Sequence, residues 1–233
     1  MDSNNKYTMM QKGQYYGGTS NHLDHNDNPD YWDILLGDLK EAEKWKDKIG
    51  LDFACGKGRN VANLHSLCEW KRVDGIDLSL NNVAYCKKNY KNINSKWYCN
   101  NGVDVSQLLS NEYDFVMSTI ALQHIPVYDI RRSILVDILR TLKPNGLFSF
   151  QMGYGQGLAD PFGRKKSSYY ENCWDASGTN SIHDVRIQTE DEILSDLKDI
   201  GYVNISTVIK NSFSDKGHLE WIYVKCHKDS VCF

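Results

Sequence analysis

Short unbroken apolar runs alternate along this chain with longer stretches of helical period. IGLDFA (49–54), RVDGID (72–77), KWYCN (96–100), YDFVMS (113–118) and LFSFQM (147–152) read as strands. Between them, NVANLHSLC turns Val61, Leu64, Leu67 and Cys68 to one face, and LSLNNVAYCKKNY forms a second helix. A third, longer helix carries Ile130, Ile134, Leu135, Ile138, Leu139 and Leu142 and stops at KPNG, a proline–glycine terminator. Before the first strand, Trp32, Leu35, Leu36 and Leu39 share a face, predicting a helix over 31–46. After Gly153 the period is lost until TEDEILSDLKDIGY, a helix followed by the strand-like runs VNISTVIK and LEWIYVKC. No helix separates those two runs, so they are expected to pair antiparallel.

Strands joined by helices of this length imply crossover units. The fold class is α/β: a doubly wound, Rossmann-like, seven-stranded and mostly parallel sheet with an antiparallel last strand and helices on both faces. Residues 1–29, rich in Asn, Asp, Gly and Tyr and without a period, read as a flexible arm. The domain is expected over 30–228, with a substrate cap at about 153–183 and a tail at 229–233.

Composition narrows the class. A net charge of −3 argues against an obligate nucleic-acid surface, and no apolar run reaches the roughly 18 residues of a membrane span. Seven cysteines, an odd number in a chain long enough to build its own core, favour free thiols and a cytoplasmic setting. Cys226, His227 and Cys232 are too poorly spaced for a metal site, and no metal is expected. Monomer and homodimer both remain open.

The chemistry concentrates at LDFACGKGRN. A strand runs into Gly56 and Gly58 and a helix opens at Arg59, so the turn is either a packing corner or a loop whose bared N–H groups receive a ligand. Asp77, ending the next strand in GIDLS, decides for the ligand: a carboxylate there can accept from both hydroxyls of a ribose. With these two segments the sequence resembles the class I S-adenosylmethionine (SAM)-dependent methyltransferases. YCNNGVDVSQL is similar to their adenine-binding segment, YDFVMSTIALQHIP to their fourth motif and ILRTLKPNGLFSFQM to the element beyond it. The resemblance covers about 48–152 and, with the antiparallel pair, extends to 225.

The resemblance implies SAM as cofactor, with S-adenosylhomocysteine (SAH) as product. It implies Asp52 at the turn or the methionine ammonium, and backbone at Ala54, Cys55 and Gly56 along the methionine and ribose. It places Asp77 on the ribose diol, Leu78 on the adenine face, Asn101, Gly102 and Val103 at the adenine edge, and backbone near Ser118 at the methionine end. Ala54 stands where the family usually has its first glycine, which a methyl group tolerates if φ is negative. Asn101 replaces a common acid; its carbonyl still accepts from an amino group. A NAD(P) oxidoreductase would need three differently spaced glycines.

His124, in the loop facing the methyl donor in that fold, is the candidate base or substrate-positioning residue, with a packing histidine the alternative. His183 and Glu171 are further candidates. In the cap, Arg164 and Lys165 suit an anionic acceptor, with Tyr169, Tyr170, Trp174 and His183 as walls; a solvated basic run is the plain alternative. STIA after the fourth strand replaces the [DN]PP[YF] of amino-methylating enzymes acting on DNA adenine, and no Pro-Cys nucleophile follows. The expected reaction is methyl transfer to a small-molecule acceptor, N or O favoured over C, without DNA or membrane partners. Methylation of protein or RNA, and SAM binding without catalysis, are the alternatives.

Overall fold

The computed structural model describes residues 30–37, 43–156, 167–171, 185–211 and 219–230. Its centre is a seven-stranded sheet of β1 (Ile49–Phe53), β2 (Arg72–Asp77), β3 (Trp97–Cys99), β4 (Tyr113–Thr119), β5 (Leu142–Tyr154), β8 (Tyr202–Asn211) and β9 (Glu220–Lys228), in the order β3-β2-β1-β4-β5-β9-β8. The first five are parallel, and β9 lies antiparallel between β5 and β8. The expected α/β class and the antiparallel closing pair are therefore both present. All five residues of β1 are buried, as a parallel strand covered on both faces requires.

Helices α1 (Tyr31–Leu36), α2 (Arg59–Leu67) and α3 (Leu80–Asn89) cover one face, where Leu35, Val61, Leu64, Val83 and Cys86 pack with Val73, Phe115 and Met117. Within that layer Trp45 stacks on Trp70 at 5.1 Å, and Phe115 packs tilted against both at 5.1–5.7 Å. Helices α4 (Tyr128–Thr141) and α5 (Glu190–Ile200) cover the other, with Ile134, Ile138, Ile193 and Leu197 against Leu51, Val116, Phe148 and Phe150. The Ser79 hydroxyl caps α3 by accepting from Asn82 N (3.3 Å). The Glu192 carboxylate reaches back to the N–H groups of Gln188 and Thr189 at the start of α5.

Two expectations are corrected. The helix expected over 31–46 ends at Leu36, because Gly37 takes φ 87°; Leu39 lies outside the described residues. The KPNG terminator does end α4 at Thr141, but Lys143–Gly146 then form the irregular start of β5, with Asn145 at φ 61° and a register shift opposite Tyr113 and Phe115. Of the expected arm and cap, 1–29, 157–166 and 172–184 lie outside the described residues. Between β5 and α5, β6 (Ser167–Ser168) pairs parallel with β7 (Val185–Arg186), and Ile187 bridges to Tyr154. Residues 231–233 of the tail also lie outside.

The sheet order reverses direction between β1 and β4, and at such a switch point the loops leaving the carboxyl ends diverge into a crevice. Gly75, under the loop leaving β1, is fixed by space: a Cβ there would lie 2.6 Å from the Trp97 ring and 2.8 Å from Cys55 Sγ. Gly75→Ala is expected to lower stability by about 1–3 kcal/mol, read as a shift in the urea midpoint. An unchanged midpoint would mean that Trp97 yields freely.

Candidate active site

At the carboxyl end of β1 the chain turns through Ala54 (φ 61°), Gly56 (φ 53°) and Gly58 (φ 79°). Ala54 thus contradicts the expectation of a negative φ: its methyl group is held in the left-handed region, at a cost of about 1 kcal/mol. The loop is stitched to β2 by Cys55 N–H to the Ile76 carbonyl (3.0 Å) and Gly56 N–H to Asp77 Oδ2 (2.8 Å). The two glycines do different work. A Cβ on Gly58 would strike Trp97 and Tyr90 at 2.8–2.9 Å, whereas one on Gly56 would meet nothing within 4 Å, so Gly56 borders open space.

Asp77 organises this corner. Its Oδ1 accepts from Ser79 N (2.8 Å) and Asn82 Nδ2 (3.2 Å) while Oδ2 holds Gly56. One acceptor position on Oδ2 remains after these three bonds. Burial pushes its carboxyl above the ordinary value, and the bonds from Ser79, Gly56 and Asn82 pull the other way.

Asp52 has a harsher setting. It is 1 % exposed, and its Oδ2 has no hydrogen-bond partner. Burial pushes its carboxyl up to about 8, Arg59 partly offsets this, and nearby Asp77 adds to it. Arg59 and Asn60 open α2, and Asn60 Nδ2 donates to Thr119 Oγ1 (3.0 Å), joining the carboxyl ends of β1 and β4. Tyr31 of α1 is buried against the same group, its hydroxyl pushed upward by burial and influenced by Thr119 and Arg59. Tyr31, Arg59 and Asn60 were not legible as site residues; only the position of the last two, just after the glycine turn, marked them.

On the β2–β3 side, Leu78 lies against Gly102 (φ 88°), whose Cβ would meet Leu78 Cδ1 at 3.1 Å. Asn101 is placed differently from its expected role. Its Oδ1 accepts from Val103 N (2.9 Å) and Asp104 N (3.0 Å), and its Nδ2 donates to Asp104, so the side chain closes its own turn. Neighbouring Asn100 is the buried one, its Oδ1 without a partner. Ser118, at the end of β4, is likewise buried with Oγ unpartnered.

Beyond β4, Ile120 adopts φ 57°, a strained state for a β-branched residue, and a 3₁₀ turn, Leu122–His124, follows. His124 is half-buried on this turn. Gln123 Oε1 pins the turn to β5 by accepting from Gly153 N (3.0 Å). Tyr169 and Tyr170 sit on the α4–α5 side. The Tyr169 hydroxyl donates to Asp196 Oδ2 (2.6 Å) and that of Tyr170 to the Glu192 carbonyl (2.7 Å). Glu171 closes this described stretch of the cap, while Arg164, Lys165, Trp174 and His183 lie outside the described residues.

A family model described as a methyltransferase domain matches residues 51–150, the segment that carries these loops. Over that segment the chain is similar to the SAM-dependent methyltransferases. A Caenorhabditis elegans protein, phosphoethanolamine N-methyltransferase 2, is 26% identical over 194 residues, 79% of this chain. The chain spans about two-fifths, 39%, of that relative's length. Among solved structures, a SAM-dependent methyltransferase from Methanosarcina mazei superposes with a TM-score of 0.62 at 19% identity, over 80% of this chain and 96% of that one. Haemonchus contortus phosphoethanolamine N-methyltransferase 2, in complex with phosphomonomethylethanolamine and SAH, gives 0.58 at 17% identity, over 83% of this chain and 53% of that one. These likenesses establish the methyltransferase fold. The residues present fit SAM: an open glycine loop and three buried oxygens without partners, on Asp52, Asn100 and Ser118, lie at the carboxyl edge of the sheet. Among the described residues no helix is long and apolar enough to cross a membrane, and no side-chain cluster could hold a metal.

The Asp52 carboxyl carries a pH signature. Because its folded value lies above the ordinary 3.8, the folded state holds the proton more tightly. Its contribution to stability is therefore full below about pH 4, falls as pH rises, and levels off above about 8. Asp52→Asn removes this penalty. Without ligand, the variant is expected to melt about 4 °C or more above wild type at pH 8.5, the two converging near pH 4. Parallel melting curves across that range would show that Asp52 is not a strained acid.

Proposed function

We propose that the chain is a SAM-dependent N-methyltransferase acting on a small phosphorylated amino alcohol, with phosphoethanolamine the acceptor to test first. The observation that carries the reading is the glycine loop at the carboxyl end of β1, held by Asp77, which borders open space at Gly56 next to a buried acid without a full set of partners. The likeness to the Caenorhabditis elegans enzyme supports the acceptor class. A single chain handling one small molecule needs no basic nucleic-acid surface, which agrees with the net charge of −3.

Bound at this edge, the cofactor supplies a methyl group on an electron-poor sulfonium. Asp52 receives the methionine ammonium, and pairing with that cation draws the carboxyl back toward its ionised form. Backbone at Ala54, Cys55 and Gly56 lies along the methionine and ribose, the remaining acceptor position of Asp77 takes a ribose hydroxyl, and Leu78 packs on the adenine. Gly102 and Val103 meet the adenine edge. Asn101 shapes their turn, and Asn100 offers the buried carbonyl oxygen in its place. Backbone near Ser118 closes the methionine end. In-line displacement needs alignment and exclusion of water more than acid–base work. His124 would orient the acceptor nitrogen and take the proton that frees its lone pair, so that the N–C bond could form as the methyl–sulfur bond breaks and SAH leaves. By residue type alone, Arg164 and Lys165 suit the anionic group and Trp174 and His183 suit its surroundings; all four lie outside the described residues.

Incubation with SAM and phosphoethanolamine is expected to yield SAH and the N-methylated phosphobase in equal amounts by mass spectrometry. His124→Asn is expected to cut kcat about 10²-fold with SAH affinity retained. SAH binding without turnover of phosphoethanolamine would count against that acceptor. Turnover unaffected by His124→Asn would assign the proton elsewhere.

A further inference from the structure

Arg131 is an arginine on the apolar side of α4 and is only 1 % exposed. Its Nη1 donates to the Ile125 carbonyl, one residue after His124, and its Nη2 donates to the Tyr169 carbonyl in the cap. The guanidinium lies 5.2 Å from the Tyr169 ring and 5.9 Å from the Tyr128 ring. Beneath it, Asp196 of α5 is 3 % exposed and accepts from both tyrosines, Tyr128 through Oδ1 and Tyr169 through Oδ2, each at 2.6 Å. Arg132 Nε stands 3.7 Å from Asp196. Tyr128, Tyr169 and Tyr170 pack edge to face with centroids 5.1–5.9 Å apart.

A buried cation is tolerated only where it is well bonded, and this one is bonded to two segments far apart in sequence. Those segments are the turn that carries His124 and the part of the insertion that follows β5. On the opposite side, Gln123 ties the same turn to β5.

We propose that Arg131 is a positioning residue that joins the His124 turn to the Tyr169–Tyr170 segment, so that the two sides of the acceptor site hold one spacing. Asp196 seats the clamp by orienting Tyr128 and Tyr169 around the guanidinium. The link to acceptor binding rests on the function proposed above, whereas the clamp itself does not. The cofactor loops at 54–58 and 100–104 make no part of it, so losing the clamp affects the acceptor and spares the cofactor.

The test is hydrogen–deuterium exchange on the full chain with SAH bound, for wild type, Arg131→Met and Arg131→Lys. Methionine keeps the apolar stem and removes both donated bonds, while lysine restores one. In Arg131→Met, exchange in peptides covering 120–127 and 167–171 is expected to rise together by about tenfold. Peptides covering β1 to β3 stay at wild-type rates, SAH affinity is unchanged, and Arg131→Lys falls between. With phosphoethanolamine as the probe, the KM is expected to rise about tenfold, with a smaller change in kcat. A rise confined to one segment, or one shared by β1 to β3 together with a loss of SAH affinity, overturns the proposal and leaves Arg131 a general structural residue. If Arg131→Met does not fold, Tyr128→Phe decides: it removes one hydroxyl from Asp196 and should give the same two-segment pattern at smaller size. Wild-type failure to methylate phosphoethanolamine would count against the acceptor alone, since the exchange pattern stands or falls separately.

Discussion

The bond from Gly56 N–H to Asp77 Oδ2, 2.8 Å long, is the contact on which this molecule's functional edge depends. It joins the loop leaving β1 to the end of β2. The same carboxylate also holds Ser79 and Asn82 at the start of α3. Three donors converging on one buried acid set the loop's path, leaving Gly56 at open space and Gly58 under Trp97 and Tyr90. Around this anchor the backbone is strained, with Ala54 at φ 61° and Ile120 at φ 57° at the carboxyl ends of β1 and β4. Such strain persists only where surrounding structure over-determines it, and here the sheet does so.

Two groups of buried polar side chains on the strands contrast. Toward their amino ends, buried Asp74 is bonded by Arg72, Lys96 N–H and the Tyr113 hydroxyl. Toward their carboxyl ends, Asp52, Asn100 and Ser118 each keep a buried oxygen without a partner. Orphaned oxygens cost stability, and at a crevice they mark where a ligand with complementary donors would compensate.

Much of the architecture was legible because burial on both faces makes parallel strands continuous apolar runs and leaves helices with one apolar stripe. The glycine turn and GIDLS together pointed to Asp77, since a strand-end acid by itself is often only a helix cap. The details that failed depended on conformations and partners that no periodicity encodes. Gly37 ended a helix whose apolar pattern ran on, and Ala54 took a glycine's conformation. Asn101 followed its own local turn, as short amides do, while Asn100 beside it was buried. Arg131 lay outside the apolar pattern that marked its helix. Its role rests on carbonyls of Ile125 and Tyr169, and backbone acceptors leave no mark in side-chain sequence.

The central claim, that this edge binds the cofactor through a loop held by Asp77, is tested most directly by calorimetric titration of SAH into wild type and Asp77→Asn. The account predicts a dissociation constant of about micromolar size for wild type. It predicts a loss of about 2–3 kcal/mol in Asp77→Asn, since asparagine at that position cannot supply the same charge-assisted bonds. No binding to wild type, or equal binding to both proteins, would contradict it.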